Sequence, residues 1–206
     1  MLIGLDFDNT IVCYDELFYK LAREKGLIPA DLPATKGCVR DHLRSVGLEP
    51  DWTEMQGIAY GPRIVDASPF PGVKSFLGHC LKKGYRCVIV SHKTRYPYLG
   101  EKHDLHEAAH RWLNTHGFYD TSSTGLSPES VHLELAKQQK IDRIGMLGCD
   151  VFIDDLPEFL GEPSFPTHPK RILFDPSQNC PDEAFYERAA SWDQVSAIVL
   201  GMGGRG

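Results

Sequence analysis

Leu2-Ile3-Gly4-Leu5-Asp6-Phe7-Asp8-Asn9-Thr10 is a short apolar run that breaks into two carboxylates one residue apart. The run is too short for a helix and reads as a strand buried on both faces, with a functional tip. Two later segments repeat the pattern. Tyr85–Val90 is an apolar strand that delivers Ser91, and Val151–Ile153 is an apolar strand that delivers Asp154 and Asp155. Ile172–Phe174 reads as a further strand. Strands alternating with helices imply an α/β fold, a parallel sheet with helices on both faces. Ligands in such sheets sit beyond the carboxyl ends of the strands, so the three polar tips are expected to share one rim.

The helices are read from apolar stripes and their stops. Leu17, Phe18 and Leu21 form a stripe stopped at Gly26, and Val39, Leu43 and Val46 one stopped at Gly47. Asp51 with Glu54 has the spacing of a capping box for a third helix. After the break at Ser68-Pro69-Phe70-Pro71-Gly72, a helix carries Val73, Phe76, Leu77, Cys80 and Leu81 and ends at Gly84. Leu105, Ala108, Ala109, Trp112 and Leu113 mark another, ending at Gly117. A shorter helix is expected from Ser127-Pro128 to about Gln139, and Ser191 with Gln194 caps a terminal one. The glycine-rich tail 201–206 is expected to be flexible.

At 206 residues the chain suits one domain with a small insertion. The net charge of −6 argues against a nucleic-acid polymer held on a basic surface. Six scattered cysteines without a C-x-x-C pair suit reduced thiols and a cytoplasmic location. No stretch has the length of a membrane span, and no signal peptide is visible.

Asp6, Asp8, Asp154 and Asp155 concentrate negative charge that only a cation relieves. Oxygen ligands without sulfur favour a hard ion, and magnesium is the expected one. A carboxylate can attack phosphorus to form an aspartyl-phosphate, and a second carboxylate two residues on can handle the proton. The phosphoryl oxygens need donors and positive charge. Ser91 supplies a hydroxyl, and a lysine of the 137–140 region supplies the charge.

These segments together resemble the haloacid dehalogenase (HAD) superfamily. Its first motif, D-x-D-x-T after an apolar strand, corresponds to Gly4–Thr10; the second, an apolar strand ending in Ser or Thr, to Cys87–Ser91. A lysine and then an apolar strand ending in paired acids follow, here Val151–Asp155. The resemblance covers about residues 1–175 and implies a Rossmann-like three-layer core, formed by 1–13 and 66–200. It implies that 14–65 is a small helical cap. It further implies Asp6 as nucleophile, Asp8 as acid and base, and phosphate contacts from Thr10, Ser91, His92 and a lysine. Lys140 has the spacing of compact relatives and is preferred to Lys137. Magnesium is assigned to Asp6, Asp8 and Asp154 or Asp155. Dehalogenases of the family lack the second acid, so Asp8 favours phosphoryl chemistry. The P-type ATPase branch has threonine there and far larger chains.

Other features have simpler readings. His106 and His110 lie one helical turn apart near His103, but no further ligand is placed with them, and an exposed helix face accounts for them. Most of Tyr14, Phe18, Tyr19, Trp52 and Tyr60 read as the insertion's own core. Arg95 and Tyr96 are substrate-contact candidates. The expected function is a magnesium-dependent phosphomonoesterase acting on a small phosphorylated metabolite such as a nucleotide or sugar phosphate. A phosphotransferase using the same intermediate and a non-catalytic binding module are the alternatives. Substrate and oligomeric state stay open.

Overall fold

The computed structural model of the chain describes residues 1–202. Its first half contains β1 (Leu2–Leu5), β2 (Val12–Cys13), α1 (Asp15–Glu24), α2 (Lys36–Ser45), α3 (Glu49–Tyr60), β3 (Ser68–Pro69), α4 (Val73–Lys82) and β4 (Arg86–His92). There follow α5 (Leu105–Thr115), α6 (Thr121–Thr124), β5 (Val131–Glu134), α7 (Lys137–Leu147) and β6 (Val151–Asp154). The chain ends with α8 (Pro157–Leu160), β7 (Lys170–Phe174), β8 (Glu187–Ala189) and α9 (Trp192–Met202). Two compact units emerge. A core unit comprises Met1–Ile11, Pro69–His92 and the chain from Gly117 onward; a helical unit comprises Val12–Ser68 and Lys93–His116.

The core unit is the expected α/β fold. Its six-stranded sheet runs β5-β4-β1-β6-β7-β8, and every neighbouring pair is parallel. From β1 the chain moves outward through β4 and β5, then returns to β6 on the other side of β1. That reversal makes a topological switch point beside β1, where open α/β sheets bind ligands. Register then decides which side chains meet. Leu5 pairs with both Ile89 and Ile153, and the Asp6 N–H donates to the Ile153 carbonyl at 2.8 Å. Asp6 and Asp154 therefore leave adjacent strands at the same level.

Alternation along the strands buries both faces. On one face Leu2, Phe152 and Leu173 pack with Ile141 and Ile144 of α7 and Phe159 of α8. On the other, Phe174 lies 5.4 Å from Trp192 of α9, which lies 5.1 Å from Phe76 of α4. Gly4 is needed by this packing. A Cβ there would stand 2.5 Å from Phe152 Cδ2 and 3.0 Å from Cys149 Sγ. Gly4→Ala is therefore expected to destabilise the fold by ~1–3 kcal/mol in urea unfolding; an unchanged midpoint would contradict this packing.

One predicted helix is wrong. The segment after Ser127-Pro128 forms a single 3-10 turn, Pro128–Ser130, and then strand β5. Val131, His132, Leu133 and Glu134 pair with Ile89–His92, so ladder hydrogen bonds outweigh the local helix signal, and α7 starts only at Lys137. The short edge strand β8 was not anticipated. At the C-terminus, Ser191 Oγ accepts from Gln194 N, the expected cap, while Gln194 Oε1 reaches one residue further back and accepts from Ala190 N. Gly201 and Met202 continue α9 rather than starting a loose tail; the rest of that tail, 203–206, lies outside the described residues.

The helical unit has its own aromatic core. Phe18 lies 4.6 Å from Trp52, and Tyr14 lies 4.9 Å from Tyr60. Its α3 starts at Glu49, one turn earlier than a cap at Asp51 implies, because Pro50 suits the first turn and leaves Asp51 inside it. The boundary also differs from expectation, since 93–116 joins the helical unit instead of the core. The apolar stripe of α5 explains this. Trp112, fully buried, donates its Nε1–H to Ala67 O at 2.7 Å, and Arg111 donates to Gly61 O at 3.0 Å. All six cysteines are free thiols. Among the described residues, no helix is long and apolar enough to cross a membrane.

Candidate active site

The candidate site belongs wholly to the core unit. A cavity of about 320 Å³ is lined by Asp6, Asp8, Ser91, His92, Lys140 and Asp155, with Lys137, Leu156 and Phe159 among its other walls. A larger hollow of about 510 Å³ between Thr167 and Glu187 is open to the surface and gathers none of the strand-tip acids. Geometry therefore favours the smaller cavity at the switch point.

Asp6 Oδ1 accepts two hydrogen bonds, from Ser91 Oγ at 2.9 Å and from Lys140 Nζ at 2.6 Å. Lys140 Nζ also donates to Asp154 Oδ2 at 2.6 Å, and Asp154 Oδ1 accepts from the Leu156 N–H at 3.0 Å. All these side chains are nearly or fully buried. Lys140 reaches them from α7, whose next turns pack Ile141 and Ile144 into the core. Burial pulls the lysine's pKa down, but the charges of Asp154 and Asp6 outweigh it and hold the ammonium above the ordinary lysine range. Burial pushes the Asp154 carboxyl up; Asp6 adds to the rise, and Lys140 opposes it without cancelling it. One ammonium between two dry carboxylates leaves the cluster short of positive charge.

The donor set fits a hard divalent ion. One carboxylate oxygen from each of Asp6, Asp154 and Asp155 lies within 4.8 Å of the other two. Two oxygens on one magnesium, each at ~2.1 Å, stand at most ~4.2 Å apart. The three oxygens are thus close to the separation that one ion imposes.

The remaining predicted residues are placed as follows. Asp8 and Asn9 line the cavity; Asn9 takes a left-handed conformation, φ 59°, which turns the chain sharply after the second acid. Thr10 is fully buried and gives its hydroxyl to Asp155 Oδ1 at 3.3 Å, while its carbonyl accepts from Trp192 Nε1 at 3.2 Å. Its hydroxyl is therefore committed to an acid, which a phosphate-contact reading does not include. His92 ends β4 and is exposed at the cavity edge. Lys137 lies at the same edge with its ammonium on Glu162, so the two lysines are separated by burial: one at the rim, the other beneath Asp6. Arg95 pairs with Asp104 at 2.8 Å within the helical unit. His106 Nε2 bonds the Lys93 carbonyl at 2.8 Å, a structural role. Phe159, which no sequence pattern singled out, puts its ring centroid 4.0 Å from Lys140 Nζ.

No protein-family model matches the chain, and no curated protein matches it. Solved structures do share its fold. A HAD family hydrolase from Deinococcus radiodurans R1, with bound phosphate and sodium, superposes with a TM-score of 0.60 at 15% identity, covering 98% of this chain and 96% of that one. A haloacid dehalogenase-like family hydrolase from Xanthomonas campestris gives 0.54 at 14%, covering 98% and 95%. A predicted phosphoglycolate phosphatase from Haemophilus somnus 129pt gives 0.52 at 13%, covering 98% and 97%.

Proposed function

We propose, for a chain that has the haloacid dehalogenase-like fold, that it is a phosphomonoesterase of small phosphorylated metabolites and that Asp6 is its nucleophile. The observation that carries this reading is the double engagement of Asp6 Oδ1 by Ser91 and Lys140. With Oδ1 held by two donors, Oδ2 is the oxygen left to attack phosphorus. The ammonium and hydroxyl that fix Asp6 also supply charge and a donor for the phosphoryl oxygens.

The attack forms an acyl phosphate at Asp6 and breaks the bond to the substrate's leaving oxygen. Asp8, on the cavity wall two residues on, gives that oxygen its proton and then takes one from the water that hydrolyses the intermediate. Thr10 serves by orienting Asp155. Asp6, Asp154 and Asp155, with Asp8, are the residues that would hold magnesium. A bound magnesium would neutralise charge on the transferring phosphoryl group. Asp8 also favours phosphoryl transfer over dehalogenation, as the family resemblance implies.

The reading is tested by phosphate release from a panel of metabolite phosphates, in magnesium and in chelator. Release that needs magnesium, with a higher Tm in magnesium than in chelator, is the expected result. Equal release in chelator would remove the metal from the account. If an added alcohol lowers phosphate yield while substrate is still consumed, the acceptor includes alcohols and the protein is a phosphotransferase.

A further inference from the structure

Lys140 is surrounded unusually closely. Two of its three ammonium protons are accounted for by Asp6 and Asp154, both at 2.6 Å. The face of Phe159 lies 4.0 Å from Nζ, and Phe152 lies 5.5 Å away. The first distance is well inside the ~6 Å reach of a cation–π attraction, which strengthens where water is excluded. Lys140 is 3% exposed, so this one is dry. The ring itself is fixed. Phe165 meets it edge-on at 5.6 Å and Phe152 lies tilted against it at 6.1 Å, while Arg171 occupies the face of Phe165 at 4.6 Å. Phe159 sits only four residues beyond Asp155, on a one-turn helix that directly follows the acid loop. Phe159 and Lys140 both line the cavity.

We propose that Phe159 is a positioning residue for Lys140: its ring face holds the ammonium against Asp6 and Asp154 and keeps water from it, and so sets the rate of phosphoryl transfer. This rests on the phosphomonoesterase reading for its kinetic consequence, but not for its geometry. The ring borders the cavity, but the role proposed for it is exercised through Lys140, whose ammonium lies over its face. A ring that served only to fill space would be replaced without kinetic loss by any ring of like volume. A ring that acts through its quadrupole would not.

The test replaces Phe159 with 4-fluoro-, 3,5-difluoro- and 3,4,5-trifluorophenylalanine, which keep the shape and progressively drain the ring face of charge. The expected result is a stepwise fall in kcat, reaching ~2- to 30-fold, with KM and the urea midpoint unchanged. The same series at Phe118, whose ring Lys74 covers at 5.4 Å and which does not line the cavity, is expected to leave kcat alone. The Lys140 ammonium resonance is followed in parallel by nitrogen-15 NMR, sharp in the wild type and broadened by water exchange as fluorine is added. Phe159→Leu, which removes the ring, is expected to broaden it fully. A kcat and a resonance both insensitive to fluorination would overturn the proposal. If the wild type releases no phosphate from any compound, the phosphatase reading fails, while the ammonium resonance still decides the clamp.

Discussion

Asp6→Asn is expected to fold as the wild type does and to release phosphate on the order of 10⁴-fold more slowly or worse. The amide keeps the shape of the carboxylate, and its oxygen still accepts from Ser91 and Lys140, so the local hydrogen bonds at Oδ1 survive. What is lost is the attacking oxygen, because the amide nitrogen in its place carries no charge to share with phosphorus. Stability moves the other way. In the wild type one ammonium is shared by two buried carboxylates, and Asp6 adds to the upward push on Asp154. Removing one negative charge leaves a matched pair, so the urea midpoint is expected to hold or rise. Loss of turnover with gain of stability separates a chemical role from a structural one; a variant that turns over normally would remove Asp6 from the mechanism.

Lys140→Met is expected to lose both turnover and stability. Methionine fills much of the lysine's stem volume beside Phe152 and Phe159 but leaves Asp6 and Asp154 buried without their cation. Breaking a buried ion pair from one side costs ~3–5 kcal/mol. The pH dependence gives a second check. Asp154 already sits above the ordinary carboxyl range with Lys140 present, and removing the lysine raises it further. A carboxyl whose folded pKa is raised supports the fold while protonated, and that support is lost as pH rises through the folded pKa. The deficit of Lys140→Met, measured by urea in chelator, is therefore expected to be smaller at acid pH and larger at alkaline pH. Adding Asp154→Asn should recover part of the lost stability, because one of the orphaned charges goes. A deficit that ignores both pH and the second change would mean that packing, not charge, explains the loss.

Much of this site was legible in the sequence because its strands are short, apolar and stop abruptly at chemistry. β1, β4 and β6 each end in the acids or the serine read from their tips, and parallel register brings those tips to one level. The lysine preferred on spacing, Lys140, is the one whose ammonium lies between Asp6 and Asp154. What escaped was whatever depends on partners distant in the chain. β5 offers four residues of mixed polarity after a Ser-Pro signal, and only the neighbouring β4 makes it a strand. The assignment of α5 to the helical unit rests on Trp112 and Arg111 bonding to carbonyls 45 and 50 residues away. The hydroxyl of Thr10 is taken by an acid 145 residues on, which the motif alone does not disclose. Phe159 was invisible for the same reason, since an aromatic residue on a one-turn helix gives no sign that a lysine lies over its face.

If Asp6 carries the phosphoryl group, that group can be trapped in place. Turnover of a substrate from the panel would be quenched with borohydride, which reduces an acyl phosphate to an alcohol, and the peptide containing residue 6 would be weighed. Homoserine is expected at position 6, formed only while substrate turns over and absent from Asp6→Asn. Steady phosphate release with an unmodified Asp6, or the alcohol appearing at Asp8 or Asp154 instead, would contradict it.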